Sequence, residues 1–139
     1  MNIDEVAEEL IEDFDLFDDW ADKYEYIISL GKELPSMSEA DKTEEHIVKG
    51  CQSQVWLKAK QDGDKVIFEA DSDAIITKGI IALLVKVFNG QNAKDIVNDN
   101  LVFIDQIGLK EHLSPNRSNG LVAMVQKMKT YALVFSNNK

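Results

Sequence analysis

The chain is poor in cysteine, proline and glycine, with one, two and seven of them among 139 residues. One cysteine excludes an internal disulfide, and so little proline and glycine leaves no low-complexity linker. A structural zinc site takes about four Cys or His ligands, and Cys51 is joined only by His46 and His112. The composition therefore predicts a globular protein without a metal site.

Long hydrophobic runs are also missing. No stretch reaches the roughly 18 uninterrupted apolar residues of a membrane span, because Lys78 and Lys86 interrupt the most apolar region, residues 74–88. The first residues, "MNIDEVAEEL", lack the basic start and apolar middle of a signal peptide. We therefore expect a cytoplasmic protein with no membrane partner, and a lone thiol suits that reducing compartment.

Positive charge is scarce at one end of the chain. Residues 1–25 hold eleven acids and one base, while the rest of the chain balances to zero, so the net charge is -10. Such a surface repels phosphate backbones, which argues against a nucleic-acid partner. The acidic segment is either a solvated helix face or a docking face for a basic protein.

Apolar residues recur at steps of three and four through most of the chain, which predicts helices. Gly31 and Gly90 are predicted to end two of these helices, and Ser114 with Pro115 to begin the last one. Gly120 lies inside that last helix, where glycine costs about 1 kcal/mol relative to alanine unless another element packs closely against it. The predicted helical segments are 4–14, 18–30, a helix starting after residues 71–73, 93–98 and 114–135.

The middle of the chain changes to strand-forming residues. "VWLKAK" and "KVIFEA" are separated by the turn sequence "QDGD", which predicts a hairpin over residues 55–70. Residues 46–49 are expected to add a third strand. The fold class is therefore α+β, a small antiparallel sheet of about three strands packed against helices, and the length predicts a single domain over residues 1–139.

Cys51 follows Gly50 and precedes Gln52 and Ser53 at a turn leading into a strand. A free cysteine is commonly a small buried hydrophobe, but a cysteine at a loop tip is accessible to a partner. Lys49 could favour the thiolate, the nucleophilic form. Spacing alone leaves an inert thiol and a reactive one equally open.

Five motifs make the chain similar to the SufE family of sulfur-acceptor proteins. The similarity extends from about Leu10 to Lys129 and rests on "YIISLGKELP", "GCQSQVWL", "DSDA", "KGIIALL" and "LSPNRSNGL". The resemblance implies a fold shared with IscU scaffold proteins. It also implies that sulfane sulfur is accepted from a PLP-dependent cysteine desulfurase of the SufS or CsdA type and passed to a SufB-containing scaffold for iron–sulfur cluster assembly. PLP would stay on the desulfurase, so no cofactor is expected here.

In this chain the residue matching the acceptor cysteine is Cys51, which the resemblance assigns as the persulfide carrier. Val55 and Trp56 are expected to shelter the sulfur when no partner is bound. Arg117, the only arginine, is expected to bind either a carboxylate such as Asp73 or an anionic sulfur. The residues expected to shape the loop or bind the partner are Gly50, Gln52, Ser53, Asp73, Arg117 and Asn119.

Two other classes of protein compete with a sulfur carrier. A small cysteine hydrolase would use Cys51 as nucleophile and His112 as base. A non-catalytic interaction domain would contain an inert thiol. The sulfur-carrier interpretation makes the chain a partner and activator of a desulfurase rather than a stand-alone enzyme.

Overall fold

The predicted hairpin forms the centre of the sheet in the computed structural model, which describes residues 2–137. Strands β1 (Val55–Asp62) and β2 (Lys65–Ser72) are antiparallel. Asp62 pairs with Lys65, so only Gly63 and Asp64 form the turn. The φ angle of Gly63 is 65°, a left-handed conformation that glycine adopts without steric cost.

The third strand lies elsewhere than predicted. Strand β3 (Gln91–Asn92) pairs with the start of β2, and the sheet order is β1-β2-β3. The predicted strand at residues 46–49 is wrong, because that segment makes one isolated bridge, between Ile47 and Trp56. A short 3₁₀ turn, Glu44–His46, occupies the preceding residues and leaves no length for a strand.

The five helices that the periodicity predicts are present, in the predicted order. Helix α3 (Ile75–Phe88) is buried along most of its length, as its apolar sequence requires. No helix within the described residues is long and apolar enough to cross a membrane. The helices are α1 (Ile3–Asp15), α2 (Trp20–Glu33), α3 (Ile75–Phe88), α4 (Ala93–Asn98), α5 (Val102–Gln106) and α6 (Pro115–Asn137).

Helices α2 and α3 touch through their backbones. A Cβ placed on Gly31 would lie 2.8 Å from the backbone nitrogen of Gly79, and one on Gly79 would lie 2.4 Å from the carbonyl oxygen of Ile27. The prediction that Gly31 ends α2 is wrong, since the helix continues to Glu33. Gly31 serves instead to let the two helices cross closely.

The C-terminal region contains one further difference. The periodicity predicts no helix between residues 98 and 114, but helix α5 lies there. The last helix begins as predicted, at Pro115, and the Ser114 hydroxyl oxygen accepts a hydrogen bond from the Arg117 backbone N–H at 3.3 Å. Strand β2 packs against α3 and β1 against α6. The start of β1 pairs with the end of β2, Val55 with Ser72, and α3 begins just after that point.

Candidate functional site at Cys51

A loop of six residues, 49–54, precedes strand β1 and is called here the Cys51 loop. Its base is closed by a hydrogen bond from the Val48 N–H to the Val55 carbonyl oxygen, 2.8 Å. At its C-terminal end the Gln54 N–H donates to Asp73 Oδ1 at 3.1 Å, and the Asp73 N–H donates to the Gln54 carbonyl oxygen at 3.2 Å. The loop is thus fixed at both ends, while Gly50, at φ 99°, allows the chain to turn between them.

The Cys51 sulfur lies against the first turns of helix α6. The Cys51 S–H donates to the carbonyl oxygen of Gly120, with the two heavy atoms 3.7 Å apart. A Cβ on Gly120 would lie 3.2 Å from the sulfur. The condition under which a glycine is tolerated inside this helix is therefore met, and the element that packs against Gly120 is the Cys51 loop.

The thiol is half-buried beside a cavity of about 260 Å³. Two helix N-termini and the Cys51 loop form its wall. Helix N-termini carry partial positive charge, so this wall favours an anion over a cation. The lining residues are Cys51, Gln52, Ser53, Ala74, Ile76, Thr77, Ile80, Ser114, Asn116, Arg117, Gly120 and Met124.

Burial raises the pKa of the Cys51 thiol above its ordinary value. The expectation that Lys49 would favour the thiolate is not supported, because the shift of this pKa is upward and comes from burial. At neutral pH the thiol is therefore protonated in this conformation, and a protonated thiol is a poor nucleophile.

The candidate residues near the cysteine take different places. Gln52, Ser53 and Arg117 line the cavity. A Cβ on Gly50 would lie 3.3 Å from the Ala123 side chain, so this glycine also lets the loop approach α6. Asn119 is exposed and does not line the cavity.

Asp73 and Arg117 do not form the ion pair that the sequence suggested. Within residues 2–137 no salt bridge includes Arg117, whose exposed side chain lines the cavity. Asp73 does not cap α3 either, because its carboxylate accepts from the Gln54 N–H and the cap position is Ala74. Asp73 thus anchors the Cys51 loop, and the Arg117 guanidinium is free to bind an anion.

Sequence reasoning missed most of the cavity wall. Asn116 lines the cavity together with Gly120 and Met124, all on one face of α6 at steps of four residues. That spacing, counted back from Gly120, could have identified Asn116 instead of Asn119.

The expected shelter of Val55 and Trp56 is also corrected. Both side chains are buried, but neither lines the cavity. Successive side chains of a strand point to opposite faces. The Lys42 ammonium lies over the Trp56 ring, 5.1 Å from the centroid of that ring. The apolar wall comes instead from Ile76, Ile80 and Met124.

The two histidines have structural contacts away from the cysteine. The His112 ring stacks on Trp20 with centroids 3.9 Å apart, and its Nδ1 lies 3.0 Å from the Gly108 carbonyl oxygen. The His46 Nδ1 lies 2.6 Å from the Asp41 carbonyl oxygen. Neither ring lines the Cys51 cavity, so the geometry does not provide the base that a cysteine hydrolase requires. Among the described residues, no three His, Cys, Asp or Glu side chains cluster as metal ligands.

Comparison with known proteins identifies the family. The family model described as "SufE: Fe-S metabolism associated domain" matches residues 8–132. The chain belongs to the SufE family. A role in iron–sulfur metabolism follows from this membership. That a single domain extends over all of residues 1–139 stays a prediction.

Two curated relatives are SufE-like proteins described as uncharacterized. One, from Rhizobium meliloti, is 43% identical over 130 residues, which is 90% of this chain and 93% of the relative. Another, from Rhizobium etli, is 42% identical over 132 residues, 91% of this chain and 89% of the relative. They support the SufE assignment across nearly the whole chain.

A solved structure supports the fold. The solution structure of a hypothetical protein from Thermus thermophilus superposes with a TM-score of 0.79 and covers 96% of this chain and 97% of that one. Its sequence is 18% identical, so the likeness concerns the fold alone. The α+β class predicted from the sequence is confirmed.

Proposed function

We propose that this SufE-family protein accepts sulfane sulfur from a PLP-dependent cysteine desulfurase as a Cys51 persulfide. It stimulates the desulfurase and passes the sulfur to a SufB-type scaffold for iron–sulfur cluster assembly in the cytoplasm. The observation that carries this proposal is the position of Cys51. The single thiol of the chain lies on an anchored loop, half-buried at the edge of the core, and borders a cavity.

The transfer is a displacement at sulfur. The Cys51 thiolate attacks the outer sulfur of the desulfurase persulfide, a new sulfur–sulfur bond forms, and the old one breaks. The electron pair of the broken bond leaves with the desulfurase cysteine as a thiolate. No external oxidant or reductant is consumed, and PLP stays on the partner enzyme.

Burial of the thiol makes reactivity dependent on docking. In the closed conformation the sulfur is half-buried and its pKa is raised, so the free protein exposes little thiolate. Outward movement of the Cys51 loop against the desulfurase would solvate the sulfur and lower its pKa toward the ordinary value. Return of the loop would then shield the persulfide, which reductants and oxidants otherwise destroy.

The first prediction tests sulfur uptake. After incubation with a cysteine desulfurase, PLP and cysteine, the wild-type chain should gain the mass of one sulfur atom. Cys51→Ser should gain none, because its hydroxyl cannot form a persulfide. Intact-mass spectrometry measures both.

Desulfurase turnover, assayed alongside, should rise with wild-type protein and not with Cys51→Ala. Equal stimulation by both would remove Cys51 from the mechanism. Absence of the added sulfur, combined with no labelling of the native protein by iodoacetamide, would favour an interaction domain with an inert thiol.

A further inference from the structure

The cavity beside Cys51 contains a deeply buried polar side chain, Thr77. Its side chain lines the cavity, and the residue is 8% exposed. The other polar residues of the wall, on the Cys51 loop and in the first turn of α6, are exposed or half-buried, so solvent water can hydrate them. Within the described residues, Thr77 is thus the one buried residue with a polar side chain in the cavity wall.

The Thr77 hydroxyl has no hydrogen-bond partner among residues 2–137, although a hydroxyl in a helix often donates to a carbonyl one turn earlier. On α6, for example, the Thr130 hydroxyl donates to the Gln126 carbonyl oxygen at 2.8 Å. No side-chain oxygen or nitrogen of the described residues is both sealed from solvent and unpartnered. The Thr77 oxygen therefore remains accessible, and the cavity is the space that it lines.

We propose that the Thr77 hydroxyl donates a hydrogen bond to the outer sulfur of the Cys51 persulfide when the loop is closed. This inference rests on the proposed function and makes Thr77 a positioning residue for the stored sulfur. The cavity of about 260 Å³ has ample room for one more sulfur atom, since a water molecule occupies roughly 30 Å³ of liquid.

The chemistry of the wall explains why one donor matters. The outer sulfur is anionic when the persulfide is deprotonated, and Ile76, Ile80 and Met124 cannot hydrogen-bond to it. Two helix N-termini favour negative charge there, and Arg117 adds a cation at the exposed rim. The Thr77 hydroxyl adds a donor from a buried residue of the wall.

The second prediction uses a loading reaction that needs no desulfurase. An aromatic disulfide first converts Cys51 to a mixed disulfide and releases one aromatic thiolate. Hydrosulfide then displaces the second aromatic thiolate and leaves the Cys51 persulfide. Because Cys51 is the only cysteine, each chain is loaded at one position, and intact mass confirms the loading.

The test compares wild-type protein with Thr77→Val and Thr77→Ser. Valine keeps the branched shape but lacks the hydroxyl, whereas serine keeps the hydroxyl. Titration of the near-ultraviolet absorbance of the persulfide anion should show a higher midpoint in Thr77→Val, by about one pH unit, because a hydrogen bond to the charged form is lost. Thr77→Ser should restore the wild-type midpoint.

A second readout is the release of thiocyanate by cyanide, which removes the outer sulfur and leaves the Cys51 thiolate. The half-life of the persulfide should shorten about tenfold in Thr77→Val, as expected for loss of one charge-assisted hydrogen bond. Alkylation of the unloaded thiol should stay unchanged in both variants.

Identical titration midpoints in all three proteins would overturn the proposal. The proposal would also be overturned if Thr77→Val accelerated alkylation of the unloaded thiol as much as it accelerated loss of the persulfide, because that result would indicate a general opening of the loop. A desulfurase that fails to load wild-type protein would contradict the proposed function, and the chemically loaded protein would still test Thr77.

Discussion

The side chain of Cys51 rests on one backbone position of helix α6, Gly120. The sulfur lies 3.7 Å from the Gly120 carbonyl oxygen and would lie 3.2 Å from a Cβ at that residue. A glycine inside a helix has a cost in conformational entropy. Here the missing side chain allows the Cys51 sulfur to pack closely against the helix backbone. The contact therefore controls how far the Cys51 loop can close.

The third prediction changes that contact. Gly120→Ala should displace the Cys51 sulfur outward, because overpacking a tight contact costs about 1–3 kcal/mol and a loop yields more easily than a helix. A shift of about 1.4 kcal/mol between closed and open loop corresponds to tenfold. We expect iodoacetamide to alkylate Cys51 about tenfold faster, measured by intact mass over time.

Thr130→Ala is a suitable control for Gly120→Ala. Thr130 is exposed on the same helix and hydrogen-bonds only within it, so this change also places alanine in α6 without touching the cysteine. Alkylation at the wild-type rate in Gly120→Ala would show that the glycine does not limit closure.

Among the elements, helix α6 holds the N-terminal side of the Cys51 loop through a lysine. The Lys127 ammonium donates to the carbonyl oxygens of Glu45 and Ile47, at 3.1 and 3.0 Å. Burial lowers the pKa of Lys127, and the nearby Lys49 charge lowers it further. These bonds join α6 to the segment just before the loop, so helix and loop base are expected to move together.

The fourth prediction removes this anchor. Lys127→Met keeps an unbranched side chain but loses both donated hydrogen bonds and the ammonium that lies 5.8 Å from the Tyr131 ring centroid, and should destabilise the protein by about 1 kcal/mol. Because the lost bonds hold the loop base, Cys51 should also be alkylated several-fold faster. Urea unfolding and alkylation rates measure the two effects.

A matched control for Lys127→Met lies one half-turn away on the same helix. Lys129 also donates to two backbone carbonyl oxygens, those of Val97 and Asp99, which belong to the α4–α5 region. Lys129→Met should therefore lower stability similarly and leave the alkylation rate of Cys51 unchanged. Equal acceleration in both variants would mean that Lys127 has no specific effect on the loop.

Across the whole molecule, local sequence patterns predicted the elements whose formation depends on residues close together in the chain. The hairpin and the long helices follow from periodicity and turn sequences, and they are present. Strand β3 has two residues, too few to show any pattern. The wall of the cavity joins Cys51 to residues of α3 and α6, and only the folded chain brings them together.

The family motifs located the site, whereas interpretation of single residues failed where a residue's role depends on the folded structure. The family motifs identified Cys51, Gln52, Ser53 and Arg117, all of which line the cavity. Local interpretation placed Gly31 at a helix end, because the sequence alone does not distinguish a glycine needed for a close helix crossing from one that ends a helix. Thr77 was missed, since a threonine in an apolar helix shows nothing of the cavity that it faces.

The parts of the fold meet at one buried carboxylate, that of Asp71, which is 4% exposed. It accepts the Met37 N–H at 3.0 Å and lies 3.4 Å from the Lys42 ammonium, both in the segment between α2 and the Cys51 loop. It also lies 3.3 Å from the Lys78 ammonium on α3. Asp71 therefore connects the sheet, the central helix and a connecting segment whose only regular structure is two short 3₁₀ turns, Glu39–Asp41 and Glu44–His46.

The fifth prediction concerns the acid stability that Asp71 confers. Burial raises the pKa of Asp71, but hydrogen bonds from the Met37 and Ser72 N–H groups and the Lys78 charge outweigh burial, so the net shift is downward. A lowered pKa in the folded state stabilises the protein fully above the unfolded value of about 3.9. That stabilisation is lost as the pH falls through the folded pKa. Asp71→Asn should therefore cost about 2–3 kcal/mol at pH 7, because it leaves two lysines facing a neutral amide.

Urea unfolding at about pH 7, 5 and 3 measures the effect of Asp71→Asn. The difference from wild type should persist at the middle value and shrink at the lowest, because pH 3 lies below the unfolded pKa of about 3.9 and the stabilisation declines between that value and the lower folded pKa. Glu69→Gln is the control on the same strand. Its side chain is 56% exposed and lies 3.9 Å from Lys58, so its loss should stay within about 0.5 kcal/mol at every pH. A difference between Asp71→Asn and wild type that does not change with pH would show that the charge of Asp71 is not what stabilises the junction, and that its hydrogen-bonding shape, which asparagine partly keeps, is responsible.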